Sequence, residues 1–151
     1  MSDATELATI NEFEKAATDR IRAGDIADFR QAATKPIIRA AALRRLALSA
    51  PVCGIRIAGA RVEGDLDLSC TSLPAVILSD CDIAGKLDMS NAHIGALSIE
   101  RSRFSYLSTR GAKIDGPFDF SDSGPLQTEA WIDASKTFIR GGVLGCRAKL
   151  K

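Results

Sequence analysis

The chain has 151 residues, 20 Lys and Arg against 19 Asp and Glu, and a formal net charge of +1, with 46% hydrophobic residues. This length can bury a real core as one domain, and the charge balance excludes both the global basic footprint of a nucleic-acid binder and a strongly acidic body. Four cysteines without a C-x-x-C pair, with one histidine, leave no zinc-ligand spacing, and no stretch approaches the roughly 20 apolar residues of a membrane span. The opening "MSDATELATINEFEK" has acidic residues and no apolar run, which fits neither a signal peptide nor a transit peptide. A cytoplasmic, bacterial-type protein with reduced thiols is expected.

Residues 1–50 are predicted to form an N-terminal helical cap. Leu7, Ile10, Phe13, Ala17 and Ile21 fall at spacings of three and four, one face of a helix over residues 3–22. Asp3 and Glu6 have the spacing of a capping box, and Gly24 suits a left-handed stop. A short segment, "DIADFRQAA", follows. "TKPIIRAAALRRLALSA" then reads as a second helix that starts at Pro36 and ends before Pro51 and Gly54. Its Arg39, Arg44 and Arg45 could contact phosphate. Arg44 lies about 140 degrees round from Arg39 on a helix, however, so the three form no single stripe and a solvated face is expected.

From Val52 the periodicity changes, and residues 51–124 are predicted to form β-helix coils. Val62, Leu73, Ile83, Ile94, Phe104 and Ile114 recur every ten or eleven residues. A second apolar series, Leu68, Leu78, Met89, Ile99 and Phe120, falls five or six later, interrupted only by Thr109. One inward residue about every five positions matches neither a helix nor an ordinary strand. It matches a coil of very short strands separated by corners, four sides and about 20 to 21 residues per turn, stacked at about 4.8 Å. Residues 125–151 are predicted to form an irregular last coil or C-terminal cap. Trp131, Ile132, Phe138, Val143 and Leu144 can be laid over one more coil only with an insertion. An open β-helix end leaves a row of unpaired backbone groups, so a homodimer through a coil end is a candidate association.

The positions two before the first apolar series are Ala60, Thr71, Cys81, Ala92, Ser102 and Ala112, all small. With this offset the sequence resembles the pentapeptide-repeat family over about residues 55–121, and the resemblance implies a right-handed, four-sided β-helix. It departs from that pattern at the other corner, where Leu66, Val76, Leu87, Leu97, Leu107 and Phe118 are large. The helical lead-in together with "GIRIAGARVEGDLDLS" and "DCDIAGKLDMS" also resembles the N-terminal part of bacterial β-helical proteins catalogued as membrane-associated oxidoreductases. No cofactor motif accompanies that likeness.

Asp67, Asp88 and Asp119 recur in "LDLS", "LDMS" and "FDFS", and paired carboxylates can do acid and base work. Asp67 and Asp88 should stack on adjacent coils, whereas Asp119 should fall on the opposite face, so outward strand positions are expected. Gly64, Gly85 and Gly116 follow an apolar corner residue, where a turn could need positive φ. Cys81 is expected to be a buried small hydrophobe and Cys70 and Cys146 exposed without an activating neighbour. His93 is expected to face solvent. "RGGVLG" from Arg140 to Gly145 has the glycines of a phosphate loop but lacks its lysine and its strand-to-helix setting, so a corner is expected. Tyr106 and Trp131 could anchor a partner or pack in the core.

No catalytic, cofactor-binding or metal-binding residue is assigned, no cofactor is implied, and partner-binding residues stay open. The expected function is a non-catalytic protein–protein interaction module with an unidentified protein partner, direct nucleic-acid binding being disfavoured. One alternative is an inhibitor or protector acting on a nucleic-acid enzyme, a topoisomerase or a phage or host defence complex, because some pentapeptide-repeat proteins imitate duplex DNA. The coils carry only 7 basic against 10 acidic groups, far from the acidity of such mimics. A second alternative is a fragment of a larger oxidoreductase-labelled protein.

Overall fold

The computed structural model describes residues 11–49 and 51–146. It opens with helix α1 (Glu12–Arg22), two short strands, β1 (Ala27–Asp28) and β2 (Ile37–Arg39), and helix α2 (Ala40–Leu48). Fifteen strands follow: β3 (Ile55–Ala58), β4 (Arg61–Glu63), β5 (Leu66–Asp67), β6 (Ser72–Ser79), β7 (Asp82–Ile83), β8 (Lys86–Asp88), β9 (His93–Ser98), β10 (Arg103–Phe104), β11 (Tyr106–Ser108), β12 (Lys113–Ile114), β13 (Phe118–Asp119), β14 (Gly124–Pro125), β15 (Trp131–Asp133), β16 (Phe138–Ile139) and β17 (Val143–Leu144). They build a parallel β-solenoid of about 5 turns.

Register explains the repeat. Ile55 pairs with Val76, Val76 with Leu97 and Leu97 with Phe118, so one turn takes 21 residues. The pairing of Phe118 with Val143 stretches the last turn to 25 residues, the expected insertion, which lies between β14 and β15. One sheet runs β1-β3-β6-β9-β12-β16, and β13 joins it at β9 before pairing with β17. A second sheet runs β14-β10-β7-β4-β2 and a third β15-β11-β8-β5. Parallel sheets usually bury both faces. Here most strands bury one or two residues, with three buried in β3 and four in β6, and the positions between them face outward.

The inward set is the one the periodicity picked out. Val62, Leu73, Ile83, Ile94, Phe104 and Ile114 are buried, as are Leu68, Leu78, Met89 and Ile99 and the third column of Leu66, Val76, Leu87, Leu97, Leu107 and Phe118. Each such side chain contributes about 1.5 to 3 kcal/mol on leaving water. Small residues sit where the corner brings backbone close. Ser102 Oγ donates to Leu78 O at 2.8 Å and accepts from Cys81 N at 3.2 Å, so its hydroxyl is satisfied at zero exposure. Thr109, the interruption, is likewise buried, and the Thr137 hydroxyl donates to its carbonyl at 2.6 Å.

Two expectations for the lead-in change. The helix anticipated from Pro36 begins only at Ala40, because Ile37–Arg39 pairs with Arg61–Glu63 as strand β2. β1 pairs with β3 as well, so solenoid pairing reaches back to Ala27. Strand pairing outweighs helix propensity there. The Asp3 and Glu6 capping box, with Leu7 and Ile10, lies outside the described residues. A capping box does form at Asn11, whose side chain accepts from Glu14 N at 2.8 Å while Glu14 Oε2 accepts from Asn11 N at 3.3 Å. Gly24 follows the helix at φ 81°, as a left-handed stop requires. α1 packs on β1, β2 and β3, and α2 on β2, β3 and β5.

Candidate interaction surfaces

The recurring aspartates are turn formers. Asp67 Oδ1 accepts from Ser69 N at 2.9 Å and from Ser69 Oγ at 2.5 Å, and Asp88 does the same with Ser90 at 2.9 and 2.6 Å. Asp119 accepts from Ser121 N at 2.9 Å, and Asp133 repeats the arrangement with Ser135. The Ser69 hydroxyl and amide hold the Asp67 carboxyl below its ordinary value, with Arg44 adding to them. Asp67 and Asp88 are register partners, and Asp119 lies in another sheet beside Ser98. The three carboxylates therefore share no site, as their phase predicts, and each is occupied by its own corner.

Those corners carry a second regularity. Cys70, Asp80, Asn91, Arg101, Asp122 and Lys136 all have φ between 50° and 58°, each two residues after a second-series position or its equivalent. Five of these six donate their amide to the next turn, for example Asn91 N to Arg110 O at 2.8 Å. The expectation for the other glycines holds only at Gly64, φ 89°; Gly85 and Gly116 are not in that region. They are glycine because adjacent turns touch: a Cβ on Gly85 would strike the Gly64 carbonyl, and one on Gly116 the Gly95 carbonyl oxygen.

A groove of about 440 Å³ is lined by Val52, Ser72, Pro74, His93, Gly95 and Asp115 among others. Ser72 and His93 are register partners on successive turns, and His93 Nε2–H donates to Asp115 Oδ2 at 2.7 Å. That bond holds the exposed Asp115 carboxyl below its usual range. No hydrogen bond joins Ser72 to His93, so the pair orients an imidazole without a nucleophile held against it. His93 is exposed as expected.

Cys81 is fully buried, and burial pushes its thiol up to about 11, whereas Cys70 and Cys146 are exposed. Of Arg140–Gly145, Arg140, Gly141 and Gly142 form the corner between β16 and β17, and Val143 and Leu144 are β17 itself. Tyr106 stacks in register between Lys86 and Trp131, with the Lys86 ammonium 5.8 Å from the Tyr106 ring centre. Arg39 and Arg44 are tied to Glu14 and Asp67 rather than aligned on one helix face. Among the described residues no group of three His, Cys, Asp or Glu could hold a metal ion, and no helix is long and apolar enough to cross a membrane.

The last turn differs from the others. Phe118 is 2% exposed, but its partner Val143 is 55% exposed, and Trp131, Phe138 and Leu144 of the same turn are exposed in register with the outward Tyr106, Lys113 and Asp119. Among the described residues four strands, β14 to β17, end their sheets. Comparison with protein-family models, curated proteins and solved structures finds no match.

Proposed function

We propose that this chain is a non-catalytic interaction module: a right-handed, four-sided, pentapeptide-repeat-like solenoid whose first turn is capped by the helices and whose last turn is the binding end. The four-sided reading rests on β6 and β9, each long enough to pass through two strand columns. Ser72 and Leu73 lead one column, and Val76 and Ile77 another. The capping reading rests on α1 and α2 packing against the first strands of the sheets.

The observation that carries the functional reading is the opening of the core at Val143. An inward column that is closed at Ile55, Val76, Leu97 and Phe118 ends on a side chain more than half exposed, in a turn whose outward-facing Trp131, Phe138 and Leu144 are exposed as well. Apolar ends beside unpaired strand edges bind protein chains, through burial and main-chain hydrogen bonds together. The occupant is either a second copy or another protein. Sedimentation velocity over a range of concentrations, with affinity capture by wild-type and Val143→Asp/Leu144→Asp baits, tests this. Self-association or a captured protein lost with the substituted bait supports the reading. A concentration-independent monomer whose captured proteins are the same with both baits overturns it.

A further inference from the structure

Between α1 and α2 lies a pocket of about 80 Å³ lined by Thr18, Arg22, Arg39, Ala42, Arg45 and Leu46. Three arginines reach it from three elements: Arg22 from the last turn of α1, Arg39 from the end of β2, and Arg45 from α2. Their charges are not equivalent. Glu14 grips Arg39, with Nε to Oε1 and Nη2 to Oε2 both 2.8 Å, and neutralises it. Arg22 and Arg45 have no carboxylate within ion-pair distance among the described residues. Arg30, Arg44, Arg61, Arg101 and Arg103 do rest on carboxylates.

Two unneutralised guanidinium groups beside a threonine hydroxyl, with Ala42 and Leu46 supplying apolar walls, match a compact dianion. Guanidinium forks suit phosphate oxygens, and partial exclusion of water strengthens the attraction. A volume of about 80 Å³ holds a few waters or one tetrahedral oxyanion. We propose that this pocket binds a terminal phosphate group, as inorganic phosphate or a phosphate monoester, held by Arg22 and Arg45 with Thr18 as a further donor. A phosphodiester backbone, with one charge per phosphate and two bulky substituents, fits it poorly.

Isothermal titration of the folded chain with inorganic phosphate, against chloride at matched ionic strength, tests the site. Saturable binding of phosphate alone is expected. Arg22→Gln and Arg45→Gln, both at exposed positions, should each weaken it about tenfold or more. Arg44→Gln, whose native side chain is bound to Asp67, should leave it unchanged, and circular dichroism checks that all three fold. Displacement by phenyl phosphate assigns a soluble source. Displacement by phosphatidylcholine vesicles containing phosphatidic acid, and not by phenyl phosphate, assigns a lipid headgroup to the same pocket. Absence of saturable binding over chloride, or binding indifferent to both Arg22→Gln and Arg45→Gln, overturns the proposal.

Discussion

Glu14 and Arg39, 25 residues apart in the chain, meet in a two-point ion pair that ties α1 to β2. The Glu14 side chain is completely buried, and its Oε1 also accepts from Arg39 N at 3.0 Å. Burial alone would raise its pKa, but the Arg39 guanidinium and the amides of Arg39 and Asn11 outweigh it and hold the carboxyl below 4.5. Removing the cation strands a buried charge, so Arg39→Ala should cost about 3 kcal/mol in urea denaturation at pH 7. A carboxyl with a depressed folded pKa stabilises the fold above its unfolded pKa and loses that effect as pH falls through the folded value. Glu14→Gln should therefore flatten the dependence of stability on pH below 4.5 while costing less than Arg39→Ala at neutral pH.

The left-handed corners predict a sign that contact counting would miss. Lys136 holds φ 56° and makes no ion pair among the described residues. An L-residue in that conformation loses roughly 1 to 2 kcal/mol, and glycine does not, though glycine gives back about 0.5 to 1 kcal/mol through its freer unfolded chain. Lys136→Gly should raise the thermal midpoint slightly. Asn91, at φ 56°, is a side chain that tolerates this region. Asn91→Val should cost more than 1 kcal/mol and Asn91→Gly should be near neutral, and paired thermal melts decide it.

Much of this molecule is legible in its sequence because a solenoid repeats one local rule. The 21-residue step, the inward columns and the separation of Asp119 from Asp67 and Asp88 all follow from phase. Strand β2 does not, since Ile37–Arg39 precedes a run of alanine and leucine and only its pairing with Arg61–Glu63 decides the conformation. The D-x-S pattern held a signal for Asx turns, with its aspartate two residues before a serine. The convergence of Arg22 with Arg45 was out of reach, because it depends on how two helices dock and not on the periodicity of either.

The four thiols should separate by burial. Cys70 and Cys146 are exposed and Cys53 half-buried, while Cys81 is enclosed with its thiol pushed up to about 11. The reactive species is the thiolate, so at pH 8 Cys81 is both shielded and protonated. An aromatic disulfide reagent should modify Cys70 and Cys146 first and Cys53 more slowly. Cys81 should react only with unfolding, at a rate that follows urea concentration. Labelling of Cys81 in the folded protein, located by peptide mass analysis, would contradict the placement of the small-residue column in the core.

Close stacking of turns and left-handed backbone are separate demands on glycine, and two positions tell them apart. Gly85 is outside the positive-φ region, yet an added Cβ there would strike the Gly64 carbonyl of the preceding turn. Gly142 has φ 86°, and an added Cβ there would meet nothing within 4 Å. Gly85→Ala must push two hydrogen-bonded turns apart in mid-solenoid, an overpacking cost of roughly 1 to 3 kcal/mol. Gly142→Ala carries only the conformational penalty of about 1 to 2 kcal/mol, in a corner of the open last turn. Hydrogen exchange separates the two causes beyond their sizes. Gly85→Ala should raise exchange at Lys86, whose amide donates to the Asp65 side chain, and across the neighbouring turns. Gly142→Ala should confine its effect to the last turn, and spread of exchange from Gly142→Ala into β6 and β9 would show that the turns are coupled more tightly than nearest-neighbour stacking allows.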